Sequence, residues 1–417
     1  MKRARLVCLD LDTFFVSVER LLDPSLVGKP VVVGGQPGER GVVSACSYEV
    51  RAYGVRSGMS LRDAGRLAPD AIYLPTRHDT YGKYAEDVRA IAADYSPEIQ
   101  IASIDEMYMS FSGCERLYQR DPDEPGDVTI ERVVREMTAA IRAETGLPSS
   151  AGIAATRAMA KVASGLAKPA GVLFVPVGRE AEVLAPLAVR KLPGVGPVAE
   201  RKLAQLGVST VGDLASVPVA RLAPVFGAWA ETMKRLAQGD GATELGPERP
   251  AFREHDMEGE SVGSISNERT FEEDVSNPET VASMLCALSE RVAWRARKRG
   301  VKARTVTLKL RYADFTTVSR GRTLARPTDV EREVHDVVRA LYAELRDPHP
   351  AVRERRRGYG RGRTRIRLLG VQLSNLELAR QLDLLPEDDR LKDTIDGIRE
   401  RFGYDAVRLA RGSRQKR

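Results

Sequence analysis

The sequence has few of the residues that build metal clusters or disulfide frameworks. Only 4 of its 417 residues are cysteine. Cys8, Cys46, Cys114 and Cys286 form no CxxC pair, which argues against a zinc site and a disulfide framework and fits a reducing compartment. The 4 histidines are equally scattered, which disfavours a histidine-based nuclease or a zinc hydrolase.

Long apolar runs are also absent. No run reaches the roughly 18 residues that a membrane span needs, so no membrane partner is expected. The basic start of the chain is followed by an apolar stretch that Asp10 and Asp12 interrupt, which is not the pattern of a signal peptide. We therefore expect a cytoplasmic protein, acting as a monomer.

Positive charge is unevenly distributed along the chain. The net charge is +7, and residues 291–330 alone carry 12 basic against 2 acidic side chains. A basic stripe on one domain is the footprint of a phosphate backbone partner. A solvated surface would explain the same charge, and charge alone does not decide between the two.

The order of predicted elements indicates several α+β domains, about three by length. A buried strand over 4–10 leads into a helix near 14–23, with Asp12 and Thr13 as candidate caps. Residues 99–112 read as a β-hairpin. The segment 237–252 is rich in Gly and Pro, which is typical of a linker.

Three acidic residues mark the ends of predicted strands. Asp10 closes the first strand, and Asp105 and Glu106 lie at the tip of the hairpin. Carboxylates held there by rigid strands are the ligands that a pair of Mg²⁺ ions needs for phosphoryl transfer. Without further support, Asp105 and Glu106 could simply form a polar turn, and Asp10 could be a neighbour of a helix cap. The spacing of two residues from Asp10 would also make Asp12 a candidate metal ligand.

Two segments decide between these readings because they resemble the Y-family DNA polymerases. Asp10 to Glu19 reads DLDTFFVSVE and Ser103 to Tyr108 reads SIDEMY, similar to the DxDxFFAxVE and SIDEAY segments of that family, and nearest to its bacterial polymerase IV branch. The resemblance implies two Mg²⁺ ions, with Mn²⁺ as the alternative, held by the catalytic carboxylates and the Leu11 carbonyl. It implies that Asp12 caps the following helix. It places Phe14 at the nucleotide and makes Phe15 a steric gate against the ribose 2′-hydroxyl.

Further residues are assigned to the incoming deoxynucleoside triphosphate. Tyr48 and Arg51 are three apart on one helix face, where a hydroxyl and a guanidinium suit a polyphosphate. The resemblance places them and Lys161 on the triphosphate, through segments that read SYEVR and AKVASGLAKP. The sequence departs from the family pattern at four positions in this region: Ala45, Ser47, Val50 and Gly165.

DNA and clamp contacts are expected farther along the chain. Pro193 to Pro197 reads as a helix-hairpin-helix turn, and its Gly194 and Gly196 let backbone amides approach a phosphate. In the basic domain the candidates for DNA contacts are Arg311, Arg320 and Arg322. The segment QLDLL resembles the peptide that docks bacterial polymerases on the sliding clamp, with these candidate residues: Gln381, Leu382, Leu384 and Leu385.

The resemblance implies a right-hand α+β architecture. Its parts are a ferredoxin-like palm (1–17 and 77–167), small fingers (18–76), a helix-hairpin-helix thumb (168–236), a linker (237–252), a separate α+β little finger (253–378) and a tail (379–417). It implies a low-fidelity translesion DNA polymerase acting on primer-template DNA. The alternatives are a non-catalytic, polymerase-like DNA-binding protein, which should lack the carboxylates, and a nucleotide cyclase, which should lack the hairpin, the basic domain and the tail.

Overall fold

The computed structural model describes residues 5–246, 263–346, 365–378 and 390–407. The chain divides into two compact units, residues 1–253 and 254–417. The proposed clamp peptide, 381–385, lies outside the described residues, so the prediction made for it is not tested by the structure.

The centre of the first unit is a five-stranded sheet in the order β5-β6-β1-β7-β8. β1 pairs antiparallel with both β6 and β7, and β7 pairs parallel with β8. β8 completes the sheet from beyond residue 167, the predicted end of the palm. The strands are β1 (Leu6–Leu11), β5 (Glu98–Ile101), β6 (Glu106–Ser110), β7 (Ser149–Ala154) and β8 (Val172–Phe174).

β1 is buried on both faces because helices cover both sides of the sheet. Val7 and Leu9 pack with residues of α4 (His78–Ala93) and α6 (Gly126–Thr145), whereas Leu6 and Cys8 pack with α7 (Arg157–Ala167). Alternate residues of a strand point to opposite faces, so the near-continuous apolar run of β1 fits this central place. Each such side chain contributes about 1.5–3 kcal/mol of burial.

A glycine lets α7 lie close against the sheet. Gly152 of β7 faces the backbone of α7, where an added Cβ would overlap the Ala160 carbonyl oxygen and the Ser164 nitrogen. The start of α7 is set by Thr156, whose side chain accepts a hydrogen bond from the Met159 amide at 3.3 Å. The close approach at Gly152 therefore sets the distance of α7 from the sheet, and the Thr156 cap sets the residue at which the helix begins.

A smaller sheet follows α1 (Phe14–Leu22) in the chain. Its order is β3-β2-β4, and the elements of this region are β2 (Val31–Val33), β3 (Ala45–Cys46), α2 (Tyr48–Arg51), α3 (Leu61–Leu67) and β4 (Ile72–Leu74). Val32, Cys46 and Val50 belong to a separate small core. The region predicted as fingers is thus built around few buried residues.

Short helices form the rest of the first unit. α5 (Glu115–Tyr118) precedes α6, and after β8 come α8 (Glu180–Leu184), α9 (Pro197–Gln205), α10 (Val211–Ser216), α11 (Val219–Phe226) and α12 (Trp229–Ala237). The predicted linker is partly anchored to this unit, since Gly246 accepts a hydrogen bond from the Gln100 side chain at 3.0 Å and Ala242 accepts one from the Arg157 amide.

The second unit has the β-α-β-β-α-β order expected from the sequence. Its antiparallel sheet runs β11-β10-β12-β9, with α13 (Pro278–Lys298) and α14 (Glu331–Arg346) contributing to one core. Asn277 caps α13 and Pro278 occupies its first turn. The strands are β9 (Ser264–Val275), β10 (Val301–Tyr312), β11 (Thr317–Thr328) and β12 (Ile366–Leu378).

Part of the predicted tail is a helix that packs on α13. In α15 (Arg390–Phe402), Arg399 is buried and pairs with the buried Glu290 of α13, and Asp396 lies 2.6 Å from Arg297. These ion pairs fix the helix to the second unit. Among the described helices, none is long and apolar enough to cross a membrane.

Candidate active site

The strand register brings the three predicted carboxylates to one end of the large sheet. Asp10 and Glu106 are direct partners in the β1–β6 ladder, and the Leu11 amide donates to the Asp105 carbonyl at 2.9 Å. Glu106 is the first residue of β6 rather than a turn residue. Residues that are far apart in the chain are therefore neighbours, as the strand-end argument expected.

Two lysines neutralise this acidic group. The Lys161 ammonium lies 2.8 Å from Asp10 Oδ2 and hydrogen-bonds Glu106 Oε2, and the Lys168 ammonium hydrogen-bonds Asp10 Oδ1. Burial lowers the pKa of Lys161, but the nearby charges of Asp10 and Glu106 outweigh it and raise the pKa above its usual value. Lys161 therefore stays charged and binds the carboxylates directly.

The side chains do not themselves form a metal cage. Within the described ranges, no group of three His, Cys, Asp or Glu side chains is arranged to hold a metal ion. Asp105 Oδ1 accepts a hydrogen bond from Ser103 Oγ, while Asp10 and Glu106 face the shared lysine. The donors are nevertheless the hard oxygens that Mg²⁺ and Mn²⁺ prefer, and two of them already converge on one cation.

Lys168 was missed as a site residue by the sequence reasoning. It lies 3.5 Å from Asp12 Oδ1 in addition to its contact with Asp10. A signal was present in the Lys-Pro pair that closes the segment AKVASGLAKP, seven positions after Lys161. The site thus has two ammonium groups rather than one.

The expected capping role of Asp12 is wrong. α1 begins after Thr13, which makes no side-chain capping bond, and the Asp12 carboxylate points elsewhere. It is 1% exposed, accepts hydrogen bonds from Ser150 Oγ at 2.8 Å and the Ala170 amide at 2.7 Å, and lies 3.4 Å from the Tyr48 hydroxyl. A buried carboxylate needs such partners, so Asp12 ties three chain segments together beside the site.

The two phenylalanines at the start of α1 differ in exposure. Phe14 is 3% exposed and belongs to the main core, which leaves only its backbone for a nucleotide contact. The Phe15 ring is half-buried and stacks on Tyr81, with centroids 4.1 Å apart and an interplanar angle of 17°. His78 meets its edge at 6.1 Å. The Phe15 ring is therefore held in a defined orientation, and part of its surface stays exposed.

The helix α2 presents two of the residues assigned to the triphosphate, Tyr48 and Arg51. The Arg51 guanidinium lies 4.8 Å from the centre of the Tyr48 ring, and Arg51 Nε is buried without a hydrogen-bond partner within the described chain. Burial, together with the charge of Asp12, raises the pKa of Tyr48 to about 12. The hydroxyl therefore stays protonated at neutral pH and can donate a hydrogen bond.

Of the departures from the family pattern, one has a local structural role. Ser47 is fully buried and caps α2, accepting a hydrogen bond from the Val50 amide at 3.3 Å. Gly165 lies on a part of α7 where an added Cβ would meet nothing within 4 Å. Ala45 lies in β3 and is half-buried. None of these three residues makes a contact with the carboxylates of the site.

The glycines of the predicted helix-hairpin-helix turn have different roles. Gly194 adopts a positive φ of 89°, and its missing side chain makes room for the Trp229 ring. Gly196 is the N-cap of α9 and provides no side-chain cap. The first amides of this nine-residue helix are therefore reachable by a phosphate.

The three arginine candidates of the second unit do not share a face. Val306 and Leu308 point into the core, and their direct partners in β11 are Arg322 and Arg320. Arg322 pairs with Glu344 of α14. Arg311 lies on the opposite, open face, where its Nε donates to Thr317 Oγ1 at 2.9 Å.

The open face was only partly found from the sequence. The alternation in β10 assigns Thr305, Thr307 and Lys309 to the same face as Arg311, because Val306, Leu308 and Leu310 are core residues. Their partners across β12 are Ser374, Gln372, Gly370 and Leu368. Period-two alternation in residues 301–312 was the signal that could have identified this row of hydroxyls and cations.

Family models match most of the chain. Residues 9–165 match the impB/mucB/samB family, residues 262–384 match the C-terminal domain of that family, and residues 190–233 match the thumb domain of DNA polymerase-iota. The last match agrees with the helical region that the sequence predicted as a thumb.

Curated relatives match over most or all of the chain. A DNA polymerase IV of Dehalococcoides mccartyi strain CBDB1 is 37% identical over 420 residues, covering 100% of this chain and 99% of the relative. A DNA polymerase IV of Streptomyces coelicolor is 36% identical over 380 residues, covering 91% of this chain and 72% of the relative.

Solved structures share the fold. A Y-family DNA polymerase chimera has a TM-score of 0.69 at 23% identity, over 90% of this chain and 99% of the chimera. DinB from Sulfolobus solfataricus has a TM-score of 0.54 at 24% identity, over 89% of this chain and 98% of that protein. The right-hand α+β architecture is confirmed, and the chain belongs to the Y family of DNA polymerases, in the group of DNA polymerase IV.

Proposed function

We propose that this chain adds deoxynucleotides to a primer 3′-end on a DNA template, using Asp10, Asp105 and Glu106 to hold two Mg²⁺ ions, with Mn²⁺ as the alternative. The Leu11 carbonyl is assigned as a further ligand. The observation that carries the proposal is the direct pairing of Asp10 with Glu106 around a shared cation, here the Lys161 ammonium. When bound, the metals would activate the 3′-hydroxyl and stabilise the leaving pyrophosphate.

The side chains around the carboxylates are assigned to the triphosphate. Lys161 and Lys168 already lie on the acidic group, so neutralisation of that group by metal would free both ammonium ions for phosphate oxygens. Arg51 offers its guanidinium and Tyr48 its protonated hydroxyl. Asp12 is assigned to hold Tyr48 and Lys168 in place through the contacts described above.

Phe15 is proposed as the gate that excludes ribonucleotides. Its stack on Tyr81 restricts the ring, so a 2′-hydroxyl near it could not be accommodated by a simple rotation of the side chain. The support for this role is that Phe15 is half-buried and held against Tyr81, five positions after Asp10 in the chain, whereas Phe14 is part of the core.

Primer-template contacts are proposed at two places, one in each unit. The amides at the start of α9, with Gly194 and Gly196, suit a backbone phosphate. In the second unit the open face of the sheet offers Arg311 and Lys309. These two residues are the main candidates for DNA contacts, in place of the set of three arginines expected from the sequence. Arg320 and Arg322 stay as weaker candidates at the sheet edge.

Low fidelity and translesion synthesis are proposed from the size of the region that follows α1. Its three-stranded sheet and two short helices have a small core of their own, so little protein is available to check the shape of a new base pair. Docking of Gln381, Leu382, Leu384 and Leu385 on a sliding clamp, and a cytoplasmic monomer, remain proposals from the sequence. Retention of all three carboxylates disfavours a non-catalytic accessory role.

Primer extension by the variant Asp105→Ala with Glu106→Ala tests the proposal. Loss of oxygen ligands in a charged catalytic site should lower the rate at least about 10³-fold, while the affinity for primer-template DNA stays near wild type. The matched control is Glu86→Ala with Asp87→Ala, an exposed adjacent acidic pair on α4, which should extend primers normally. Wild-type rates in the site variant would remove the metal assignment.

A further inference from the structure

The turn between β10 and β11 presents an exposed aromatic ring. Phe315 is 62% exposed and adopts a φ of 63°, a left-handed conformation that bulky residues rarely adopt. The turn is nevertheless well held, since the Phe315 amide donates to the Tyr312 carbonyl at 3.0 Å and the Thr316 amide to Asp314 Oδ1 at 2.8 Å. The backbone therefore keeps this ring at the surface instead of folding it inward.

An arginine from another strand supports the ring. The Arg367 guanidinium lies 4.5 Å from the Phe315 ring centre, a cation–π contact. Arg367 is at the β-bulge of β12, where the register with β10 shifts, and it also lies 3.9 Å from Asp274 of β9. Because bulges redirect side chains at functional edges, this arginine is aimed along the sheet end and not into the core.

Three arginines flank the turn, alongside the two carboxylates Asp274 and Asp314. Arg311 lies four positions before Phe315 in the chain, and Arg365 is exposed, with its carbonyl accepting a hydrogen bond from the Ala313 amide at 3.0 Å. Together with Arg367, three arginines therefore lie near one exposed phenylalanine at the same end of the sheet. An aromatic ring among cations is the combination that binds single-stranded nucleic acid, where bases stack and phosphates are neutralised.

We propose that Phe315, with Arg367 behind it, stacks on an unpaired nucleobase of single-stranded template DNA. A base within a duplex is already stacked on both sides, so the ring gains most from an unpaired one. The basic surroundings favour a nucleic-acid strand over an apolar protein partner. The site rests on the proposed DNA polymerase function and adds to it a contact for the unpaired template.

The test compares three fluorescent DNA probes in equilibrium binding to the full chain. The first is a primer-template with a single-stranded 5′ template overhang, the second has the same overhang with abasic nucleotides, and the third is a blunt duplex. The abasic overhang keeps every phosphate and removes the bases. The variants are Phe315→Ala and Phe315→Tyr, and the matched control is Phe402→Ala, whose ring is 70% exposed with an arginine at 5.9 Å.

Phe315→Ala is expected to weaken binding of the normal overhang about tenfold, the effect of one base stack of about 1.4 kcal/mol. Binding of the abasic overhang and the blunt duplex should stay at the wild-type level. The salt dependence should not change, because no charge is removed. Phe315→Tyr should keep the preference for bases, and Phe402→Ala should match wild type on all three probes.

Two results overturn the stacking site. One is a Phe315→Ala variant that still prefers the normal overhang to the abasic overhang as wild type does. The other is an equal loss on all three probes with an unchanged melting temperature, which would indicate a general DNA contact. If wild type binds none of the probes, the proposed function itself fails, so that failure is distinguishable from the loss of this site alone.

Discussion

The two units of this polymerase use charged side chains in opposite ways. At the end of the large sheet, Asp10 and Glu106 are mostly buried, at 13% and 17% side-chain exposure, and they share one ammonium. On the open face of the second unit, Lys309 and Arg311 are exposed among hydroxyls. The first arrangement is compact and fixed, and the second is spread over long strands.

Physical chemistry explains the difference. Charges in a partly buried site interact strongly and need little reorganisation, which suits stabilisation of a reacting phosphoryl group. Exposed cations interact weakly and are screened by salt, which suits reversible attachment to a phosphate backbone. Substitutions beside the carboxylates should therefore change turnover or nucleotide selection, and those on the open face of the second unit should change DNA affinity.

After the loss of the carboxylates, the largest effect that separates the units is expected for Phe15→Ala. Steric overlap in a packed site costs about 1–3 kcal/mol, so removal of the ring should raise kcat/KM for ribonucleotides about 10- to 100-fold. DNA affinity should not change. Single-nucleotide insertion with matched ribo- and deoxynucleoside triphosphates measures the ratio.

An unchanged sugar preference in Phe15→Ala would remove the gate. Retained insertion of deoxynucleotides is the control for a folded site. A loss of DNA affinity instead would break the division between the units, because Phe15 would then contribute to attachment.

Asp12→Asn should give an intermediate effect. The amide has the same size, and its one oxygen can replace Oδ2, which accepts from Ser150 and the Ala170 amide. Its NH2 group would then replace Oδ1, the acceptor that faces the Tyr48 hydroxyl and the Lys168 ammonium, and hydrogen bonds to a charged group contribute about 1.5–3 kcal/mol. Since Tyr48 and Lys168 lose part of their anchor, KM for the nucleotide should rise about tenfold and kcat should fall less. Steady-state kinetics on a fixed primer-template separate the two constants.

Ser150→Ala is the milder companion of Asp12→Asn, since it removes one donor and keeps the charge. Its KM should lie between wild type and Asp12→Asn. A fall in kcat with an unchanged KM would show that Asp12 acts on the reacting groups and not on the positioning of nucleotide contacts.

The smallest effects are expected on the open face. Arg311→Ala should weaken DNA binding a few-fold and lower the salt slope by about 0.9, the value for one lost phosphate contact. Lys309→Ala should weaken DNA binding less, because Glu268 lies 2.8 Å from its ammonium and partly neutralises it.

Glu268→Gln should strengthen DNA binding, because it removes that neutralising charge. Turnover at saturating DNA should stay at wild type throughout, and a lowered turnover would contradict the separation.

The sequence was sufficient for the parts of the site that depend on short segments. Asp10, Asp105 and Glu106 were placed at strand ends from apolar runs, and antiparallel pairing then makes them neighbours without further information. The common helix face of Tyr48 and Arg51 required only the spacing of one helix turn, whereas their assignment to the triphosphate came from the resemblance to the Y family. The α+β order of both units followed in the same way from alternating and helical patterns.

Other features depended on tertiary contacts that no short segment contains. The partners of Asp12 are Ser150 and Ala170, 138 and 158 residues away in the chain, so the helix cap next to it was the more obvious interpretation. The orientation of Arg322 depends on strand pairing and on Glu344. Helix α15 was read as a tail because its stability comes from Glu290 and Arg297 in another helix.

Gly152 influences the geometry of the site through the packing of α7 on β7. It sets how closely α7 approaches β7, and α7 carries Lys161. A single methyl group at this position would lift the helix and with it the ammonium, and a displacement of about 1 Å is enough to change a hydrogen-bonded pair into a weak one. The distance between the Lys161 ammonium and its carboxylate partners therefore depends on the missing Cβ atom of Gly152, on the strand beneath the helix.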